Sequence, residues 1–122
     1  YFHIRYGENC LLVQRTAKDI WPNLYEFPLL ETDEDKGLEA LVLLPEFKHL
    51  FENVGEIEIV APGVSFKHIL SHRIIYARFY EIKVEKLSTV LQRYLLVPEV
   101  SFEKYAVSRL MSLYWEQREN KI

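Results

Sequence analysis

The side chains best suited to chemistry lie together in residues 67–73, which read Lys-His-Ile-Leu-Ser-His-Arg. Ser71 beside His72 could in principle supply a nucleophile and its base. Neighbouring residues in a turn usually point apart, however, no nucleophile-elbow glycines flank the serine, and no acid is placed to orient the histidine. We therefore predict no catalytic residues and no serine hydrolase.

Metal binding is a second chemistry that histidines and acids could support. His68 and His72 lie four residues apart, roughly 13 Å along a strand, whereas zinc ligands lie ~2 Å from their ion, and no third ligand is apparent. The acidic run 31–35 is typical of a solvated loop before a helix, since no histidine or second acidic cluster completes a site. We predict no metal site, and we expect His3 and His49 to be structural or surface residues.

A binding role places fewer requirements on the same residues than catalysis or metal coordination does. The Ser71 hydroxyl both donates and accepts, and a strand-turn backbone adds a fixed N–H and C=O, so together they can test the donor and acceptor pattern of a nucleobase edge. Lys67, His72, Arg73 and Arg78 could hold phosphates. An ordinary hairpin with a capping serine explains the same residues and stays open.

Two strands are expected to position this stretch. Residues 64–71 alternate in polarity with the two-residue period of a strand. Residues 74–84 are apolar on both faces, which favours a central strand covered on both sides. The tight connection then projects Leu70, Ser71 and His72 from the end of a rigid sheet, a good place to bind something small and polar.

The first third of the chain predicts further strands. Residues 1–6 and 10–14 read as an antiparallel pair, because Gly7 and Asn9 between them tolerate the positive φ of a tight turn. Residues 24–28 return to an extended pattern, and Pro28 ends it since proline donates no ladder hydrogen bond.

The remainder alternates between helix and strand. Residues 37–51 have helical spacing broken once, where Pro45 suits the first turn of a new helix, and residues 56–60 alternate as a strand. Residues 85–93 fit either a loop or a helix, and 94–97 fit a short strand. A last helix is expected from an N-cap at Ser101. Its apolar face comprises Val107, Leu110, Met111, Tyr114 and Trp115.

Length and composition limit the folds and functions that are possible for this chain. The 122 residues, 49% of them hydrophobic, suffice for one core, so we predict a single domain over 1–122 with an α/β (α+β) fold, a mixed β-sheet flanked by helices. The net charge of −3 gives no general footprint for nucleic acid. One cysteine, Cys10, excludes an internal disulfide or a four-cysteine cluster and should be a buried thiol. No membrane helix or signal peptide is evident, and we expect a cytoplasmic monomer that is a piece of a longer chain.

Three segments in register resemble one family. Asn23–Pro28, the stretch His68–Arg73 followed by Ala77–Tyr80, and Tyr105–Leu110 are similar to the C-terminal domain of A/G-specific adenine DNA glycosylases, the MutY family. The resemblance implies a Nudix-like fold, like that of the MutT pyrophosphohydrolases. It also implies recognition of 8-oxoguanine opposite the adenine that a separate N-terminal domain excises.

The resemblance assigns roles to residues of the central stretch. The family's recognition loop, commonly Phe-Ser-His or Phe-Thr-His, falls on Leu70, Ser71 and His72, with Arg73 and Lys67 as further DNA-binding candidates. Leucine replaces the aromatic ring but can still act as an apolar wedge. The implied partners are duplex DNA with 8-oxoguanine opposite adenine and the N-terminal catalytic domain of the same chain, so the expected cytoplasmic protein would be nucleoid-associated. That domain would carry the catalytic acids and the iron-sulfur cluster, so no cofactor is expected here.

The implied fold also suggests an alternative function, that of a nucleotide pyrophosphohydrolase. This activity needs the motif Gly-x5-Glu-x7-Arg-Glu-x2-Glu-Glu-x-Gly to hold divalent cations. With Gly55 on the final glycine, only Glu52 survives of the three terminal carboxylates, and Ala40 replaces the earlier glutamate. One carboxylate does not usually hold catalytic magnesium, so we predict no such activity. A protein-interaction domain on the same fold is a further alternative.

Overall fold

The computed structural model describes residues 1–15, 23–60, 63–69 and 71–119. Within them lie seven strands: β1 Phe2–Tyr6, β2 Asn9–Gln14, β3 Tyr25–Glu26, β4 Ile57–Ile59, β5 Val64–Ile69, β6 Ile74–Val84 and β7 Leu95–Pro98. The helices are α1 Leu38–Leu41, α2 Pro45–Leu50 and α3 Arg109–Glu119, with 3₁₀ turns at Leu91–Arg93 and Glu99–Lys104. No helix in these ranges is long and apolar enough to cross a bilayer.

The strands form one mixed sheet in the order β3-β2-β1-β6-β4, with β5 added to β6 and β7 to β2. The predicted first hairpin is confirmed: β1 and β2 are antiparallel, and Gly7 has a φ of +63° in the turn. β1 and β6 run parallel, with Phe2 opposite Tyr80. Parallel strands need a long crossover, and residues between β2 and β6 supply it.

The period of two along β1 and β6 divides the interior into two cores. Phe2, Ile4, Tyr80 and Ile82 point to the side of α1 and α2, where they pack with Leu41 and Phe47, among others. The odd-numbered residues of β6 from 75 to 79 point to the side of α3. The sheet is therefore flanked by helices on both faces, and the predicted α+β fold is confirmed.

The segment 37–51 is helical and broken as predicted. Pro45 occupies the first turn of α2, where its missing N–H has no intrahelical partner to lose. The chain leaves α2 through Asn53 and Gly55, which have φ values of +59° and +80°. Val54 between them is buried in the core under α1 and α2.

The predicted start of the last helix at Ser101 is wrong. Ser101 lies in the 3₁₀ turn Glu99–Lys104, and α3 begins at Arg109, where the Ser108 Oγ accepts a hydrogen bond from the Met111 N–H at 3.3 Å. The intervening segment is extended because it pairs with β3: the Tyr25 N–H donates to the Ala106 carbonyl at 2.8 Å. A tertiary pairing outweighs the helical spacing there. Val107 still packs on the core beside α3.

A network of charged side chains joins α3 to the sheet. Arg118 donates from Nε to Glu81 Oε1 at 2.9 Å, and Arg5 donates from Nη1 to Glu81 Oε2 at 3.0 Å. Arg118 also reaches Glu99 Oε2 at 3.3 Å. Two guanidinium groups thus balance two carboxylates, and β1, β6, the 3₁₀ turn Glu99–Lys104 and α3 are held together.

His3 lies fully buried at the inner end of this network. Its Nε2 is 2.8 Å from Glu99 Oε1 and its Nδ1 is 2.7 Å from the Tyr114 hydroxyl. Burial lowers the pKa of His3 and so favours the neutral imidazole, although Glu99 is close enough for an ion pair. A carboxylate can only accept, so Nε2 carries the proton and Tyr114 donates to Nδ1.

The same corner holds the one group of candidate metal ligands among the described residues. Ligand atoms of His3, Cys10 and Glu99 all lie within 4.8 Å of one another. Both imidazole nitrogens already have partners, and burial raises the pKa of the Cys10 thiol to about 12. Both carboxylates are also paired with arginines, so hydrogen bonds and ion pairs account for the cluster, and the absence of a metal site stays a prediction. Cys10 is the buried thiol that was predicted.

Candidate functional site

The hairpin of β5 and β6 positions the central stretch. Its register runs from Val64 opposite Phe79 to Ile69 opposite Ile74. Residues directly opposite in an antiparallel pair point to the same side, so the hairpin has two faces. One packs on the core beside α3 through Phe66, Ile75, Ala77 and Phe79. The other, here called the open face, comprises Ser65, Lys67, Ile69, Ile74, Tyr76 and Arg78.

The prediction that β6 is covered on both sides holds for only part of the strand. Tyr80, Ile82 and Val84 are buried, but on the same side Ile74 is 45% and Tyr76 is 70% exposed. A strand of 11 residues is about 36 Å long, whereas α2 with 6 residues spans about 9 Å. The short helices cannot reach the outer half.

The hairpin tip carries the predicted site residues, of which Leu70 lies outside the described residues. Ser71 and His72 form a bend before Arg73, and all three are exposed. Lys67, two residues before the end of β5, is exposed as well. Within the described part of the chain, these four side chains have no hydrogen bond or ion pair. A hydroxyl, an imidazole and two cations are thus available to a ligand.

A groove of about 690 Å³ runs beside the outer half of β6. One wall is the strand from Arg73 to Arg78, and the other is the extended segment 29–36 with its exposed acidic run. Arg73 therefore borders both the tip and the groove. The run 31–35 is the exposed loop that was predicted, but it also forms a negative wall opposite the hairpin.

One residue of that wall is tied to the open face. Asp35 accepts two hydrogen bonds from Arg78, at 2.7 and 2.8 Å, in a bidentate pair. These bonds lower the pKa of Asp35 and raise that of Arg78. Arg78 was a candidate for phosphate binding from the sequence, and the structure instead places its guanidinium on a carboxylate.

The positions aligned with the pyrophosphohydrolase motif lie on α1, at Ala40, and on α2 and the turn after it. His49 and Asn53 stand where the motif has glutamates, and the Glu52 carboxylate is 3.7 Å from His49 Nδ1, both exposed. Gly55 has the left-handed backbone, and a Cβ there would lie 2.8 Å from Glu85 Oε2. The backbone conformation and the close Glu85 side chain therefore explain why residue 55 is a glycine. The absence of pyrophosphohydrolase activity stays a prediction from the residue types at the motif positions.

The three segments behind the family resemblance meet in the core. The rings of Tyr25 and Tyr105 are 5.1 Å apart, and Phe27 contacts Phe79 at 6.4 Å between ring centroids. Glu26, nearly buried, pairs with Arg15 at 2.7 Å. Packing therefore accounts for many of these motif residues, whereas Ser71, His72 and Arg73 at the hairpin tip are exposed and have no polar partner within the described ranges.

The mixed sheet, the helices on both faces and the left-handed glycine after α2 define an α+β fold of the Nudix type. A family model described as NUDIX domain matches residues 1–117, so the chain belongs to the NUDIX domain family. The match covers nearly the whole chain and confirms the Nudix-like fold that the resemblance implied.

Sequence reasoning missed two features of this site. The first is the open face, because the apolar pattern of β6 predicted that this face is buried in the core. The second is the pair of Asp35 and Arg78, 43 positions apart. The acidic run followed by a lone arginine on a strand was the only available signal, and it does not specify a contact.

Proposed function

We propose that this domain recognises 8-oxoguanine opposite adenine in duplex DNA, as the C-terminal domain of an adenine DNA glycosylase of the MutY family. The domain is not catalytic by itself. The observation that supports this most is the hairpin tip, where Ser71, His72 and Arg73 project without partners among the described residues from a strand anchored in both cores.

The chemistry of the lesion suits a serine at this place. Oxidation converts the N7 acceptor of guanine into an N–H donor and adds an acceptor oxygen at C8. The Ser71 hydroxyl can accept from the new N–H or donate to the new oxygen, and the bend supplies backbone polar groups. A lysine, which only donates, could not sense this exchange.

Phosphate contacts would fix the register of the domain on the duplex. Lys67 and Arg73 flank the tip, and His72 adds a third group that can hydrogen bond to a phosphate. The net charge of −3 opposes binding, so affinity should be weak and strongly salt-dependent. Adenine excision and the iron-sulfur cluster belong to the N-terminal catalytic domain in this proposal, and this domain needs no cofactor.

The test is a backbone-amide NMR titration with two duplexes that differ only in 8-oxoguanine or guanine opposite adenine. We expect lesion-dependent shifts at residues 71–73, and we expect Ser71→Ala to reduce the preference for the lesion about fivefold, the worth of one hydrogen bond.

Ser65→Ala is the matched control, because Ser65 is exposed on the same hairpin at its base. It should leave the preference unchanged. Identical shifts with both duplexes would refute the proposal. They would leave a protein-interaction domain, or a pyrophosphohydrolase if the chain released phosphate from a nucleoside diphosphate with Mg²⁺.

The pair between Asp35 and Arg78 leads to a second prediction. Asp35→Asn removes the charge that holds Arg78, so the guanidinium becomes available to a phosphate. Affinity for any duplex should rise without a change in lesion preference. The slope of log affinity against log salt concentration should steepen by about 0.9, the value for one further phosphate contact.

Asp33→Asn makes the same change of net charge in the same loop. Asp33 has no ion pair within the described ranges, so this variant reports the effect of net charge alone. If fluorescence anisotropy gave equal slopes for the two variants, Arg78 would not be a phosphate contact held back by Asp35.

A further inference from the structure

The open face of the hairpin presents an aromatic ring to solvent. Tyr76 is 70% exposed and, within the described ranges, makes no hydrogen bond and no contact with another ring. Ile74 and Ile69, which are paired across the strands, continue the apolar surface towards the tip. Lys67 stands directly opposite Tyr76 on the neighbouring strand.

We propose that the open face is a binding site for an unstacked nucleobase, with the Tyr76 ring as the stacking surface and Lys67 as the contact to the adjoining phosphate. This inference rests on the proposed function and extends it from the tip to the side of the hairpin. A base drawn out of the duplex, or one in a single strand, exposes the π-face that such a ring binds.

The charges around the open face favour this occupant and orient it. Lys67 and Arg73 border the apolar surface, and both lack an ion-pair partner within the described residues. At the other end of the open face, Arg78 is paired with Asp35 and is therefore not available to a phosphate. The acidic wall beside this pair repels phosphate. The sugar-phosphate backbone must therefore pass on the side of Lys67 and the tip, with the base directed towards Tyr76.

The experiment measures binding of the 122-residue chain to a single-stranded oligonucleotide of about ten nucleotides that carries one 2-aminopurine, whose fluorescence falls on stacking. We expect quenching with the wild-type chain. Tyr76→Ala should weaken binding roughly 5- to 100-fold and abolish the quenching, whereas Tyr76→Phe, which keeps the stacking surface, should retain both.

Val100→Ser is the matched control, since Val100 is an apolar residue 94% exposed on the 3₁₀ turn Glu99–Lys104, away from the hairpin. It should bind as the wild type does. Equal affinity of Tyr76→Ala and wild type would overturn the inference. So would loss of self-association in Tyr76→Ala, measured by sedimentation, with DNA binding unchanged, because the face would then be a protein contact.

The two proposals can fail separately. Lesion-dependent shifts at Ser71 without any single-strand binding would leave the proposed function standing and remove the nucleobase site. Single-strand binding that depends on Tyr76, without any preference for 8-oxoguanine, would keep the site and remove lesion recognition.

Discussion

Replacement of Phe79 by alanine is expected to lower the free energy of unfolding by about 4 kcal/mol. Phe79 is 1% exposed and lies at the centre of the core beside α3. Its ring stacks on Tyr114 at 4.6 Å and on Tyr1 at 4.9 Å, and it meets Phe66 edge-on at 5.7 Å. Truncation leaves a cavity that these rings and Phe27, which also meets Phe79 edge-on, fill only in part. Urea denaturation followed by circular dichroism measures the loss.

The control is Tyr76→Ala, which deletes a similar side chain three residues earlier on the same strand. Tyr76 is exposed, so its loss should change stability by less than about 0.5 kcal/mol. Similar losses for the two variants would mean that the core beside α3 is not packed around Phe79. Phe79→Leu, which retains more of the volume, keeps the comparison possible if the alanine variant does not fold.

Glu81→Ala should destabilise the domain by about 3 kcal/mol. Its carboxylate, about one-tenth exposed, accepts hydrogen bonds from Arg5 and Arg118. Without it two guanidinium groups share one partly buried carboxylate, Glu99, and Arg118 otherwise pairs only with the exposed Glu119 within the described residues. Glu58→Ala is the matched control, because Glu58 pairs with Lys83 at 3.6 Å on the surface of the same sheet, where an ion pair contributes little. Equal chemical stability of the two variants would contradict this role for Glu81.

The pH dependence of stability gives the same prediction a second measurement. Burial raises the pKa of Glu81, but hydrogen bonds from Arg118 and nearby positive charge outweigh it, so the pKa lies below its ordinary 4.5. The stabilisation is therefore complete above pH 4.5 and is lost as the pH falls from there through the lower folded-state pKa. The wild-type chain should lose more stability over this range than Glu81→Ala does.

Much of the fold could be predicted from local residue types. Gly7 in a two-strand turn and Pro45 at a helix start are signals that act within a few residues, and both predictions are confirmed. The alternation along 64–69 and 74–84 likewise marked the two strands of the hairpin. In each case the physical cause lies within the segment itself.

The errors arose where distant residues decide the outcome. Ser101 was the predicted cap, but pairing of residue 106 with β3 keeps the chain extended there, and the helix begins after Ser108. The apolar pattern of β6 could not reveal that α1 and α2 are too short to cover Tyr76. The link from Asp35 to Arg78 joins two segments whose approach depends on the whole sheet.

Membership of the NUDIX domain family explains the packing of the core, whereas the function depends on the residues of the site. The residues that pack the sheet serve any activity that this fold supports. The side chains on which the proposed function depends lie on the hairpin of β5 and β6, where Ser71 and Tyr76 have no polar partner within the described residues. Experiments on Ser71 and Tyr76 therefore discriminate between functions, whereas those on Phe79 and Glu81 test the scaffold.

The unequal support along β6 has a consequence for dynamics. Residues 80–83 pair with β1, and 82–84 also pair with β4, whereas 74–77 pair with β5 alone among the described strands. Amides of the outer half should therefore exchange with solvent through local opening at much lower free energy than those of the inner half, which require global unfolding. We therefore expect the tip to change conformation when a ligand binds while both cores remain packed. A single strand thus has a stable inner half and an outer half that opens locally.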